Sequence, residues 1–399
     1  MQNFRFHVVA LPHTVTSKEF CACAYTQKVL NFCKMMKSLG HTVFHYGTNG
    51  SIVDCDEHIT VISRDEQIEL INDTDWRTKG FKIDWDPNLP YWVASNNSAA
   101  AAINKRKQAK DFLCLIGGTC HKPIADQVQE FTSKNNMKHD VHVVEYGVGY
   151  PGIFSRFCVF ESYAWMHNVY GMAKIIDGRY YDAVIPNYFD PLDFPMTPKE
   201  NKKNYLLYIG RLIKRKGIQA AVDISNYSGM KLFLAGQGCK EQGDGYIKSE
   251  EGLTFTGKNI YHVGLLDVPA RAKMMGEARA VLVPTDYLEP FGGVNVEAQM
   301  CGTPVISTDH GVFPETVIHG VTGYRCRTLE QYVWAAKNVH KLDTTKIREW
   351  AVNNYSIDRV KLMYQEYFEM LYGLWDKGWY NINPNRTNLE WLRKYYPEN

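Results

Sequence analysis

Two rounds of strand–helix alternation, parted by a polar, proline-rich connector, constrain this chain more than any other feature. FRFHVVAL (4–11) reads as a buried strand, and the period that follows predicts a helix over roughly 17–39, closed by Gly40 as a C-cap. HTVFHYG (41–47) is a second strand, so the chain opens β-α-β, the unit of a parallel sheet. DFLCLIGG (111–118), VHVVEYG (141–147) and YDAVIPN (181–187) continue the pattern. The stretch 76–92, WRTKGFKIDWDPNLPYW, has two prolines and no clear period, and reads as a long loop. PNYFDPLDFPMTPKENKKN (186–204) has linker chemistry. After it come NYLLYIG, a helix from about Gly217, MKLFLAG (230–236), AVLVPT (280–285) and TPVIST (303–308). Two such halves mean two doubly wound α/β domains, with ligands at the carboxyl ends of the strands and between the domains.

Composition narrows the class. At 399 residues the chain has room for two domains, and 45% hydrophobic with 22% charged residues is ordinary for a globular protein. A net charge of +2 gives no global field to attract nucleic acid or an acidic partner. The ten cysteines form no CxxC pair and no zinc-type spacing, so reduced thiols are the simplest account. FRFHVVALPHT lacks a basic segment followed by a long apolar core, and no apolar run has the length of a membrane span. A cytoplasmic location is the expectation.

Three stretches carry candidate chemistry. In YIGRLIKRKG (208–217), Arg211 leaves a strand end and Lys216 sits just before a helix, an arrangement that suits a diphosphate. The competing reading is a solvated basic loop. Gly236 and Gly238, after strand MKLFLAG, lack the third glycine of a dinucleotide fingerprint and read as a close-approach turn. In EPFGGVNVE (289–297), Pro290 and the Gly292–Gly293 pair argue for a loop, with a helix beginning near Val294 and Glu297 in its first turn. Ionised carboxylates only accept hydrogen bonds, so Glu289 and Glu297 suit vicinal hydroxyls of a sugar or ribose. Equally, Glu297 could simply complement a helix dipole.

Together, GRLIKRKG, EPFGGVNVEAQMCGTPVI and HGVFPETVIHGVTGY resemble the donor-binding half of family 4 of the retaining glycosyltransferases, which have the GT-B fold. The two acids with seven residues between them, the Pro314–Glu315 step and the Gly320/Gly323 turn stand in that family's order. GHTV (40–43) and IPNYFD (185–190) are similar to two further landmarks. The likeness spans essentially the whole chain, dense over 210–323 and thin over 56–183. It implies an α/β architecture of two Rossmann-like domains facing each other across a cleft. The expected division is an acceptor-side domain over 1–187, a linker over 188–204, a nucleotide-sugar domain over 205–357, and a helix and tail over 358–399 crossing back to the first domain.

The resemblance also implies a nucleoside-diphosphate sugar donor, a UDP- or GDP-sugar, and no metal. By it, Arg211 and Lys216 bind the diphosphate, Glu297 the ribose and Glu289 the transferred sugar. Backbone N–H groups around Phe291, Gly292, Gly293 and Val294 contact sugar and phosphate, and Gly264 and Leu265 border the base. Retention is expected by front-face attack, with the departing phosphate helping to deprotonate the acceptor and no protein nucleophile. His121, after the fourth strand, is the candidate for the family's first-domain histidine, ahead of His167. The chain departs from the pattern at PHTVTSKEFCACAY, where a glycine-rich loop is usual and Ser17 or Lys18 would have to serve, and at Tyr188 and Gln299.

The acceptor is less legible. Trp76, Trp85, Tyr91 and Trp92 form one aromatic cluster, and Tyr150, Phe154, Phe157, Tyr163 and Trp165 a second, of which most read as core. NKRKQAK (104–110) could meet a membrane surface or a phosphate backbone, or be a solvated helix face. A glycan or lipid-linked acceptor is the expectation, with peripheral membrane contact open and nucleic acid disfavoured by the neutral charge. The alternatives are a catalytically silent protein of the same fold that only binds a sugar nucleotide or glycan, or another enzyme on that fold, an epimerase or a phosphorylase.

Overall fold

A computed structural model describes residues 3–20, 23–71, 84–135, 141–241 and 246–374. The first seven strands are β1 (Arg5–Val9), β2 (Thr42–Thr48), β3 (Glu57–Ile62), β4 (Phe112–Leu115), β5 (His142–Val148), β6 (Phe157–Phe160) and β7 (Ala183–Val184). They form one parallel sheet in the order β3-β2-β1-β4-β5-β6-β7. Its helices are α1 (Ala24–Ser38), α2 (Arg64–Ile71), α3 (Pro90–Asn104), α4 (Lys122–Lys134) and α5 (Tyr163–Met172). Strands covered on both faces bury every residue, which is why FLCL and FCVF are wholly apolar.

The second sheet joins β8 (Tyr205–Ile209), β9 (Lys231–Ala235), β13 (Ile260–Gly264), β14 (Ala280–Val283), β15 (Val305–Thr308) and β16 (Gly323–Cys326), all parallel, in the order β13-β9-β8-β14-β15-β16. Between β9 and β13, three short strands, β10 (Cys239–Glu241), β11 (Tyr246–Ser249) and β12 (Thr254–Thr256), make a small antiparallel sheet. The helices of this half are α6 (Ile218–Ser228), α7 (Val268–Glu277), α8 (Gly293–Met300), α9 (Phe313–Thr316), α10 (Leu329–Asn338) and α11 (Thr344–Tyr355). The last described helix, α12 (Ile357–Gly373), returns to the first domain. There Phe368 packs edge-on against Phe6 with centroids 4.6 Å apart, and Tyr364 against Phe32 at 5.2 Å. The tail expected to follow it lies outside the described residues. Among those described, no helix is long and apolar enough to cross a membrane.

The chain passes between the domains twice, and the two passages pair. Phe189 N–H donates to the Tyr355 carbonyl and Ile357 N–H to the Phe189 carbonyl, both at 2.9 Å. Tyr188, where glycine is usual, is buried and donates its hydroxyl to the Lys28 carbonyl at 2.9 Å. Lys34 adds an ion pair to Asp190 at 2.7 Å.

Several sequence expectations need correction. The first helix begins at Ala24, not near Ser17; Thr16–Phe20 instead turns, with Phe20 N–H bonded to the Ser17 carbonyl. The stretch 76–92 is not one loop. Pro90 opens α3, where its missing N–H costs nothing, and the Ala-rich run after it continues the helix. Trp92 is therefore fully buried and Tyr91 nearly so; Trp76 lies outside the described residues. Two of the cations of 104–110 are engaged within the first domain. Arg106 forks onto Glu57 at 2.6 and 3.0 Å, and Lys107 is buried against the Val128 carbonyl.

Candidate functional site

In each sheet the chain reverses its direction of build between two neighbouring strands, β1/β4 in the first and β8/β14 in the second. Such switch points, at the carboxyl ends of the strands, leave a crevice for ligands. The candidate residues gather at these two places.

In the second domain, β8 ends at Gly210 and Arg211, β14 leads into the loop carrying Glu289, and β9 and β13 end at Gly236 and Gly264. Backbone crowding explains the glycines. A Cβ at Gly236 would lie 1.9 Å from the Gly210 carbonyl oxygen, and one at Gly217 would lie 1.8 Å from that of Pro284. Gly236 is thus a close-approach turn, and its N–H donates to the Gly264 carbonyl at 2.8 Å. Leu265 follows, half exposed at the rim.

Lys216 sits at the end of a short 3-10 turn, just before left-handed Gly217 (φ 72°) opens α6. Its ammonium contacts Glu289 Oε2 at 2.7 Å and the Tyr287 hydroxyl at 3.1 Å, while that hydroxyl donates to Glu289 Oε1 at 2.7 Å. The sequence reading places Lys216 on a phosphate and Glu289 on a sugar; in the structure the two are paired with each other, Glu289 buried and Lys216 and Tyr287 half-buried. Tyr287, which the sequence reading missed, bonds to both. Arg211 is exposed and, among the described residues, has no ion-pair partner.

The helix of EPFGGVNVE starts at Gly293, with Gly292 (φ 68°) as its N-cap. This puts Glu297 in the second turn rather than the first, so the reading of Glu297 as a first-turn dipole partner fails on position. Glu297 is buried and takes Arg271 of α7 at 3.0 Å on Oε1, while its Oε2 is buried with no hydrogen-bond partner among the described residues. Burial pushes its pKa up, and the Arg271 charge opposes that. A carboxylate half-satisfied in this way is an acceptor waiting for a donor. The Phe291 ring is buried and stacks on Phe189, so only its backbone can serve a ligand. A Cβ at Gly292 would crowd Glu289 at 3.1 Å. Beyond Gly292 the first-turn N–H groups of Gly293 and Val294 have no partner within the helix. Gln299, a departure from the family pattern, is buried and donates to the Thr316 carbonyl at 2.9 Å.

At the first domain's switch point stand His13, after β1, and His121, after β4. His121 is buried with its ring on Gly117, where a Cβ would sit 2.7 Å from the imidazole. The Gly117 N–H donates to Nδ1 at 3.1 Å, which leaves the ring proton on Nε2. Burial lowers its pKa to about 3, so His121 is neutral at pH 7 and can donate a hydrogen bond from Nε2 but not act as an imidazolium acid. Tyr25, at the start of α1, packs against Trp85 and Tyr150 with the Lys28 ammonium over its ring. Its phenol is pushed up by burial, with Cys23, Tyr287 and Glu289 adding to the effect.

The remaining candidates lie elsewhere. Lys18 pairs with Asp193 of the connector at 3.3 Å and Ser17 holds the turn with Gln27, so neither stands at the strand end. Exposed His167 lies on α5 near Glu315. Phe157 is core, and Tyr150 and Trp165 pack against a small core cluster around Phe160, whereas Trp85 and Tyr163 keep exposed surface.

Residues 190–346 match the family model described as Glycosyl transferases group 1. A glycogen synthase of Mycobacterium tuberculosis is 30% identical over 151 residues, 36% of this chain and 36% of that protein. The chain spans less than half the length of the curated relatives it matches. Among solved structures, AviGT4, a glycosyltransferase involved in avilamycin A biosynthesis, superposes with a TM-score of 0.65 at 17% identity, covering 93% of this chain and 98% of its own. The Anabaena protein HepE, solved in complex with UDP-glucose, gives 0.57 at 12% identity, covering 92% and 99%. The chain has the GT-B fold, and its second domain carries the segment similar to glycosyl transferases group 1.

Proposed function

We propose that the protein is a retaining glycosyltransferase of family 4. It moves a sugar from a nucleoside-diphosphate sugar, a UDP- or GDP-sugar, to a hydroxyl of a glycan or lipid-linked acceptor without a metal ion. The observation that carries this reading is the half-satisfied Glu297. A buried carboxylate with one oxygen tied to Arg271 and the other unpaired has the chemistry to take ribose hydroxyls. Support comes from the fold, from the group 1 family match over 190–346, and from a structural neighbour that binds UDP-glucose.

In this reading Arg211, exposed at the end of β8, supplies charge to the diphosphate as it departs, and the start of α8 adds its N–H groups. Lys216 holds the Glu289 carboxylate in place through the 2.7 Å ion pair, and Glu289 accepts from hydroxyls of the transferred sugar. His121 donates from Nε2 on the opposite wall. Negative charge accumulates on the leaving phosphate, which takes the acceptor's proton as the new bond forms on the same face.

The test is titration calorimetry with UDP and GDP in EDTA, followed by product analysis of UDP-glucose and GDP-mannose incubated with a panel of sugars and glycolipids. Binding of one nucleotide and anomer-retaining transfer are expected. Binding of neither overturns the donor site; binding without hydrolysis or transfer over the panel favours a catalytically silent binder.

A further inference from the structure

The Pro314–Glu315 step has no role in the donor chemistry above, yet its carboxylate reaches the other domain. Glu315 lies in α9 of the second domain. Its Oε2 accepts from the Tyr163 N–H at 2.9 Å and its Oε1 from the Ala164 N–H at 2.8 Å. These are the first two residues of α5, a first-domain helix, so the carboxylate caps that helix from across the cleft. Beside it Ser162, the N-cap of α5, accepts from Trp165 N–H at 3.0 Å and donates its hydroxyl to the Pro290 carbonyl at 2.7 Å. Pro290 separates Glu289 from Phe291. One helix end therefore grips both α9 and the loop that carries the donor-site residues.

The second domain makes these two elements a unit. A Cβ at Gly311 would lie 3.0 Å from the Glu289 nitrogen, and Tyr355 packs edge-on against Phe291 while donating to the Glu315 carbonyl at 3.4 Å. Glu315 is partly buried, and two charge-assisted bonds of normal length offset its desolvation. Separating the domains would break these three bonds together and leave the first turn of α5 without its anion.

We infer that Glu315 is a positioning residue: by capping α5 it holds the Glu289–Gly293 loop against the first domain and so keeps the two walls of the cleft in register. The consequence for turnover rests on the proposed transferase reading; the consequence for domain arrangement does not.

Small-angle scattering of the full chain, wild type against Glu315→Ala, Glu315→Gln and Ser162→Ala, tests this directly. A cooperative melt serves as the check on folding. An increase in radius of gyration is expected for Glu315→Ala, smaller for Glu315→Gln, which keeps the shape, and for Ser162→Ala, which keeps the carboxylate. Turnover with a nucleotide sugar should fall about tenfold or more through kcat, since misplacement of reacting groups is costly, while affinity for UDP stays within about twofold because Glu315 is not placed on the nucleotide. A folded Glu315→Ala or Glu315→Gln protein with the wild-type radius of gyration overturns the inference. Absence of transfer in the wild type would count against the transferase reading and leave the scattering comparison to decide the latch.

Discussion

Replacing Glu297 by Gln isolates the feature on which the donor site depends. In the native protein Oε1 is held by Arg271 at 3.0 Å and buried Oε2 is unpaired. The amide keeps the size and still accepts from Arg271, but it loses the charge and turns one oxygen into a donor. Hydrogen bonds to charged groups contribute about 1.5–3 kcal/mol. If ribose hydroxyls complete this carboxylate, UDP or GDP should bind about 10- to 150-fold more weakly to the variant. Isothermal titration with a matched thermal melt measures both affinity and fold. The melting midpoint should fall modestly, because Arg271 then faces a neutral partner in a half-buried setting. A variant that melts cooperatively and binds the nucleotide within about twofold of wild type would refute the assignment, and Glu297 would then be only the counter-charge of Arg271.

Three further outcomes follow from the same geometry. Lys216→Met should leave Glu289 buried beside Tyr287 alone, costing about 2–3 kcal/mol of stability and abolishing transfer; a melt and a turnover assay that both match wild type would count against the paired unit. Gly217→Ala combines a φ of 72° with a Cβ 1.8 Å from the Pro284 carbonyl oxygen, so denaturant unfolding should show a loss of about 3 kcal/mol; an unchanged midpoint would contradict the crowding. His45 and His121 are both held near a pKa of about 3 by burial against an ordinary 6.5. The unfolded chain then binds the extra protons, so the stability they support is full above pH 6.5 and is lost as the pH falls toward 3. At pH 5 the loss is about 2 kcal/mol per histidine, measurable as a falling unfolding midpoint that His121→Asn should partly flatten.

Much of the fold was legible because buried parallel strands leave a plain signature. VHVV and FLCL cannot be solvated, and the glycines that follow them mark the strand ends where ligands gather. What escaped was of two kinds. Pro90 was read as a breaker although at a helix start it is a starter, and the polar strands β10–β12 are too short to show a period. The site's residue types were visible, but their pairing was not. Lys216 meets Glu289 across 73 residues, Glu297 meets Arg271 across 26, and Glu315 meets Tyr163 across 152. No local pattern encodes such contacts; they arise only when the sheets set the loops side by side. The depth of His121, which decides its protonation, was equally hidden.

The paired passages at Phe189 and Ser356 also limit how the molecule can move. A single connector would let one half swivel freely about the other. Two strands, hydrogen-bonded where they cross and anchored beyond by Tyr188 on one side and by α12 on the other, behave as a leaf hinge. Twisting or sliding would shear the bonds between Phe189, Tyr355 and Ile357, whereas bending about the line they define leaves them intact. A motion confined to that bend would return the same residues to the same opposing positions.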